Sequence, residues 1–72
     1  MKVVKINTEY ITLGQVLKFA GIISNGGDVK FFLSENRVWV NNELDNRRGR
    51  KLYHNDIVRI EHDVTLKIEN DN

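Results

Sequence analysis

The stretch Arg37-Val38-Trp39-Val40-Asn41-Asn42-Glu43-Leu44 constrains the fold of this 72-residue chain more than any other. Val38 and Val40 alternate with Arg37 and Trp39, the period of two that marks a strand with one buried face. The two asparagines that follow suit a turn needing positive φ, so the chain should reverse there and return through Glu43-Leu44 as a hairpin. Val38 and Val40 should face inward, with Arg37 and Trp39 on the other side. Trp39 then has two readings: the core tryptophan of a small domain, or a half-exposed ring that stacks on a guanidinium or a base.

What lies before the hairpin reads as a strand and two short helices. Lys2-Val3-Val4-Lys5-Ile6 is β-rich, and Val4 and Ile6 can line one face. Thr12-Leu13-Gly14-Gln15 has the form of a capping box, with Ile11 and Val16 as a hydrophobic staple around it. Leu13, Val16, Leu17 and Ala20 then recur at helical spacing, which predicts a helix over 13–20 stopped by Gly21 in the left-handed conformation. A second helix starts near Asn25, with Asp28 in its first turn and Val29, Phe32 and Leu33 on its apolar face. Asn36 is expected to end it in the left-handed region. Gly26-Gly27 lacks the lysine-serine follow-up of a phosphate-cradling loop and reads as a tight turn between helices.

After the hairpin, His54-Asn55-Asp56 forms a turn before a strand over 57–61, in which Val58 and Ile60 face one way. His62-Asp63 breaks that pattern. Val64, Leu66 and Ile68 alternate with Thr65, Lys67 and Glu69 in a last amphipathic strand. Residues 69–72 are expected to be a frayed acidic end. The chain is one domain, residues 1–72, near the size at which a single core only just outweighs conformational entropy. With no cysteine there is neither a disulfide nor a thiolate metal site, so stability must come from packing. No apolar run matches a membrane span or a signal-peptide core, which points to a cytoplasmic protein without a membrane partner.

The net charge of +1 conceals a polarised chain. Residues 37–51 hold five cationic side chains against two acidic ones, and residues 61–72 hold one against four. Four of the cations, Arg47, Arg48, Arg50 and Lys51, fall in the run Asn46-Arg47-Arg48-Gly49-Arg50-Lys51. Arginine can grip a phosphate through two parallel hydrogen bonds. Gly49 suits a bent or closely approaching backbone, which places the run on a loop. Such a loop is either a phosphate clamp or a solvated segment kept charged for solubility. His54 and His62 lack metal-ligand spacing and no serine has a nucleophile context, so no metal, cofactor, small-molecule substrate or enzymatic activity is expected. Asp56 has a structural role available in its own turn.

Taken together, two short helices, a strand ending in Val-Asn-Asn, a basic loop and a strand introduced by a turn with aspartate resemble the S4 RNA-binding domain over residues 12–61. The family's Gly-x-Val-x-Val-Asn-Gly segment is matched by Asn36-Arg37-Val38-Trp39-Val40-Asn41-Asn42, and its Gly-Asp-x-Ile/Val by Asn55-Asp56-Ile57-Val58. Asparagine stands in each glycine place, as the next best residue at positive φ. Asp45 to Leu52 resembles small stand-alone bacterial S4 proteins of the YaaA/YbcJ type. The resemblance implies an α+β, S4-like (alpha-L) fold, with two short helices packed on a small, bent, mainly antiparallel sheet. It also implies non-catalytic binding of structured RNA, ribosomal or transfer RNA, with the ribosomal subunit as a partner in function or assembly. Arg47, Arg48, Arg50 and Lys51 would then grip phosphates, Lys30 and Arg37 would extend the patch, and Asn41 at the hairpin edge would help position it. The Ser-Arg pair that opens the second helix in many S4 domains is replaced by Asn25-Gly26, which shifts the expected anchor from helix to loop. The alternative is a protein-interaction adaptor that uses the basic loop or the acidic tail, to be separated by deleting residues 69–72.

Overall fold

A computed structural model describes residues 1–71. In chain order the elements are β1 (Lys2–Ile6), β2 (Ile11–Thr12), α1 (Leu13–Phe19), a 3-10 turn (Gly26–Asp28), α2 (Val29–Glu35), β3 (Val38–Val40), β4 (Glu43–Leu44), β5 (Lys51–Leu52), β6 (Ile57–Ile60) and β7 (Thr65–Asn70). Five strands form a sheet in the order β1-β7-β6-β3-β4, antiparallel except for the parallel β1–β7 pair, and β2 and β5 form a separate antiparallel ribbon. The expected α+β architecture, two short helices with a small, mainly antiparallel sheet, is the one observed.

The periodicities fix which faces are buried. Val4, Ile6, Val38, Val40, Val58, Ile60, Leu66 and Ile68 form the inner face of the sheet, and they join Leu13, Val16 and Leu17 of α1 and Val29 and Leu33 of α2 in one cluster. Leu52 of the ribbon is also fully buried in it. Both expected hydroxyl and amide bonds of the α1 capping box form, between Thr12 and Gln15. At its other end Gly21 takes φ +77° and the Lys2 ammonium donates to the Ala20 carbonyl at 2.9 Å.

The hairpin turn is as expected, with Asn41 at φ 51° and Asn42 at φ 71°; Asn55 also sits at positive φ, 74°. Asn36 does not. It is extended at φ −128°, ψ 141°, and it ends α2 through its side-chain amide, which donates to the Phe32 carbonyl at 3.0 Å. Asn25 caps the 3-10 turn that leads into α2, so the regular helix begins at Val29.

Residues 69–71 depart from the expected frayed end. Glu69 and Asn70 belong to β7 opposite Lys5 and Ile6, and the Asp71 amide donates to the Ile6 carbonyl at 2.9 Å. Parallel pairing with β1 holds this segment, and alternation within β7 carries no information about its partner. Deleting 69–72 would therefore remove part of the sheet and would not isolate a tail; Asn72 lies outside the described residues.

Trp39 is half-buried on the outer sheet face, opposite Arg59 in the β3–β6 register, with the Arg59 guanidinium carbon 3.9 Å from its ring centroid. It is not a core tryptophan, and its stacking partner within the chain is a guanidinium.

Candidate functional site

The loop between β4 and β5 is organised by Asp45, an acidic residue immediately before the basic run. Its amide donates to the Val38 carbonyl at 2.9 Å, which ties the loop to the start of β3, and only 8% of the residue is exposed. One carboxylate oxygen accepts from the Arg47 amide and Nε at 2.9 and 3.1 Å. The other accepts from an Arg47 terminal nitrogen and from Arg50, both at 2.8 Å. Both oxygens are thus satisfied by charge-assisted bonds. The hydrogen bonds from Arg47 hold the carboxyl of Asp45 well below the usual carboxylate range, against the opposing effect of burial.

Because the folded state favours the ionised carboxylate, its contribution to stability is complete above the unfolded value near pH 4 and is lost as pH falls toward the lower folded value. Asp45→Asn should therefore be less stable than the parent at pH 7 by about 2 kcal/mol. Most of that comes from the partly buried Arg50, whose donor would face an amide NH2, because the asparagine oxygen can still accept from the Arg47 amide and the Arg47 side chain is 69% exposed and adds little. The gap should narrow progressively below about pH 4. Denaturant unfolding of both proteins at pH 7 and in acid checks this; a gap that widens in acid would contradict it.

The loop backbone closes onto α1. The Leu13 and Gly14 amides, which no carbonyl within the helix can reach, donate to the Arg50 and Arg48 carbonyls at 2.8 and 2.9 Å, and the Gln15 amide donates to Thr12 Oγ1. Gly14 allows this approach. A Cβ there would lie 3.1 Å from Val29 Cγ1 and 3.3 Å from the Arg48 carbonyl oxygen. Gly49 has neither positive φ nor any heavy atom near its Cβ position, so the expected close approach belongs to Gly14 instead.

This docking sets Arg48 between the two helices. It lines one groove with Lys30, Ser34 and Asn46 on the α2 side, and another with Lys18 and Gln15 on the α1 side. Lys18, Lys30 and Arg48 are exposed, and among the described residues their side chains have no hydrogen-bond or ion-pair partner. Lys51 lies in β5, with its ammonium 4.9 Å from the Tyr10 ring centroid.

The other expected site residues are placed differently. Arg37 shares a third groove with Asn46 on the far side of Leu33, where it faces Glu61 at 3.9 Å. Asn41 is at the opposite end of β3 from Asp45. Its side chain bridges two turns, donating to Asp56 at 3.0 Å and accepting from the Ile57 amide at 2.9 Å. The Asp56 carboxylate also accepts from the Tyr53 amide at 2.7 Å, which fixes its own turn. So Arg48 and Lys30 come together, Arg47 and Arg50 are held by Asp45, and Asn41 is occupied elsewhere.

Three contributors escaped the sequence reading. Lys18 needs the helix packing to be seen beside Arg48. Gly14 could have been noticed, since glycine in a helix costs about 1 kcal/mol relative to alanine and its presence implies a close neighbour. Asp45 had a signal as well, because an aspartate two residues before Arg47 is placed to accept from that residue's amide. Among the described residues no group of three or more histidine, aspartate or glutamate side chains is arranged to hold a metal ion, and no helix is long and apolar enough to cross a membrane.

A family model described as the S4 domain matches residues 4–69, extending the resembling region into β1 and β7. A curated relative from Bacillus subtilis (strain 168), "Probable ribosome maturation protein RlbA", is 62% identical over 58 residues, which cover 81% of this chain and 82% of that protein.

Proposed function

Because the chain belongs to the S4 domain family, we propose that it is a non-catalytic RNA-binding protein of ribosome maturation, recognising structured ribosomal RNA through the loop and the two helices around it. The observation that carries this reading is the set of cations that have no partner among the described residues, Lys18, Lys30 and Arg48, about grooves that share Arg48. Like charges that face solvent with no carboxylate beside them suit a polyanion. Arg47 keeps an exposed guanidinium that Asp45 orients, so it can meet a phosphate with less conformational entropy to lose. Phosphate contacts of this kind position an RNA, and its shape and 2′-hydroxyls would supply selectivity.

If three to five phosphates are engaged, a plot of log K against log salt should have a slope of about −2 to −5. Titration of a labelled ribosomal RNA fragment across low to physiological salt measures it. An affinity indifferent to salt would reject the proposal. Competition by the same fragment, folded and heat-unfolded, separates recognition of structure from general attraction to phosphate.

A further inference from the structure

Alternation along the β2–β5 ribbon sends Leu52 into the core and leaves the opposite face outward. Thr12 pairs with Lys51, and one step beyond the Ile11–Leu52 pair the chain places Tyr10 and Tyr53 side by side, their ring centroids 5.9 Å apart and their planes tilted by 50°. These rings are 38% and 42% exposed. The Lys51 ammonium lies against Tyr10, so a cation and two aromatic rings share one small open surface. Tyr10 also borders a depression that it shares with Glu9 and Gln15, and Gln15 in turn lines the groove that holds Arg48, so one side chain separates the edge of this surface from the loop groove.

From this juxtaposition we infer that the outer face of the ribbon is a stacking platform for unpaired bases of the RNA whose phosphates lie on the loop. Exposed aromatic rings next to a cationic track are how proteins hold single-stranded nucleic acid: each base offers a π face, while the neighbouring charge meets the backbone. A paired base has both faces covered, so the platform selects an RNA in which a helix gives way to unpaired nucleotides. The inference rests on the RNA-binding reading above and adds to it the element of structure that is recognised, a junction between paired and unpaired segments.

The test compares two labelled RNAs, a blunt hairpin whose strands are joined by a non-nucleotide linker, so that it holds no unpaired base, and the same hairpin with an unpaired adenosine extension. The parent should bind the extended hairpin about ten-fold more tightly, a typical contribution of one stacked base. Joint replacement Tyr10→Leu and Tyr53→Leu should abolish that preference while leaving blunt-hairpin affinity and the salt slope unchanged. Joint replacement by phenylalanine, which keeps the rings, should retain the preference. If the double leucine variant fails to fold by circular dichroism, Tyr53→Leu alone should reduce the preference. A parent that binds both RNAs equally, or a folded leucine variant that keeps the preference, overturns the platform and leaves salt-dependent RNA binding standing. Loss of salt-dependent binding to every RNA would remove the underlying reading as well. Tyrosine-dependent binding of polyglutamate with no preference among RNAs would overturn the inference in favour of an acidic protein partner.

Discussion

Changing Lys18, Lys30 and Arg48 together to alanine should lower RNA affinity about a hundred-fold near physiological salt and flatten the salt dependence by about two to three units of slope. Each phosphate contact contributes a nearly constant increment of released counterions, so three lost contacts multiply. The fold should survive, because these side chains are exposed and unpaired among the described residues. Anisotropy titrations at several salt concentrations, with an unfolding curve for each protein, check both halves. A loss smaller than about five-fold, roughly that of one contact, would mean the grooves are not the interface. Removing Arg47 and Arg50 would be a less clear experiment. It strips the bonds from a buried carboxylate, so lost affinity would be mixed with lost loop structure.

The second large effect is on the framework. Gly14→Val should destabilise the domain by about 3 kcal/mol, lowering Tm by roughly 15 °C, since its side chain would meet the Arg48 backbone and the Val29 methyl in a packed interior. Gly49→Ala should change stability by less than about 0.5 kcal/mol, because its surroundings are open. Thermal unfolding of the two variants side by side distinguishes them. Equal effects would mean that the loop does not depend on its approach to α1. Any Gly14→Val protein that remains folded should also bind RNA more weakly, through displacement of Arg48.

The contrast between these glycines shows how far the sequence could be read. Elements defined by neighbours in the chain were legible: the Asn41-Asn42 turn, the Thr12–Gln15 box and the inward valines of β3 each follow from local sterics or a short period. So was the basic run as a loop, up to Lys51, which opens β5. Features created by residues distant in sequence were not. Gly14 matters because residue 48 arrives above it, and Lys18 because packing sets it beside Arg48. Gly49 attracted attention through its position in the charged run, although nothing in the fold requires glycine there. Asn36 fits the family pattern in sequence yet ends its helix by a side-chain bond in extended backbone. The absent Ser-Arg pair shifts the expected anchor to the loop, and the position of Lys18 and Lys30 about the grooves that Arg48 lines depends on packing that the sequence does not display.

The parallel pairing of β1 with β7 also orders events in time. Lys2 is opposite Leu66 and Ile6 opposite Asn70, so β1 finds its place in the sheet only once β7, about sixty residues later, exists. The hairpin and the β3–β6 pair join segments much closer along the chain and incur a smaller loop-closure entropy. During synthesis, Val4 and Ile6 must wait without their sheet neighbours until Ile68 and Asn70 have emerged. Closure of this edge is therefore the natural late step of folding, after the elements that bear the basic loop can already have assembled.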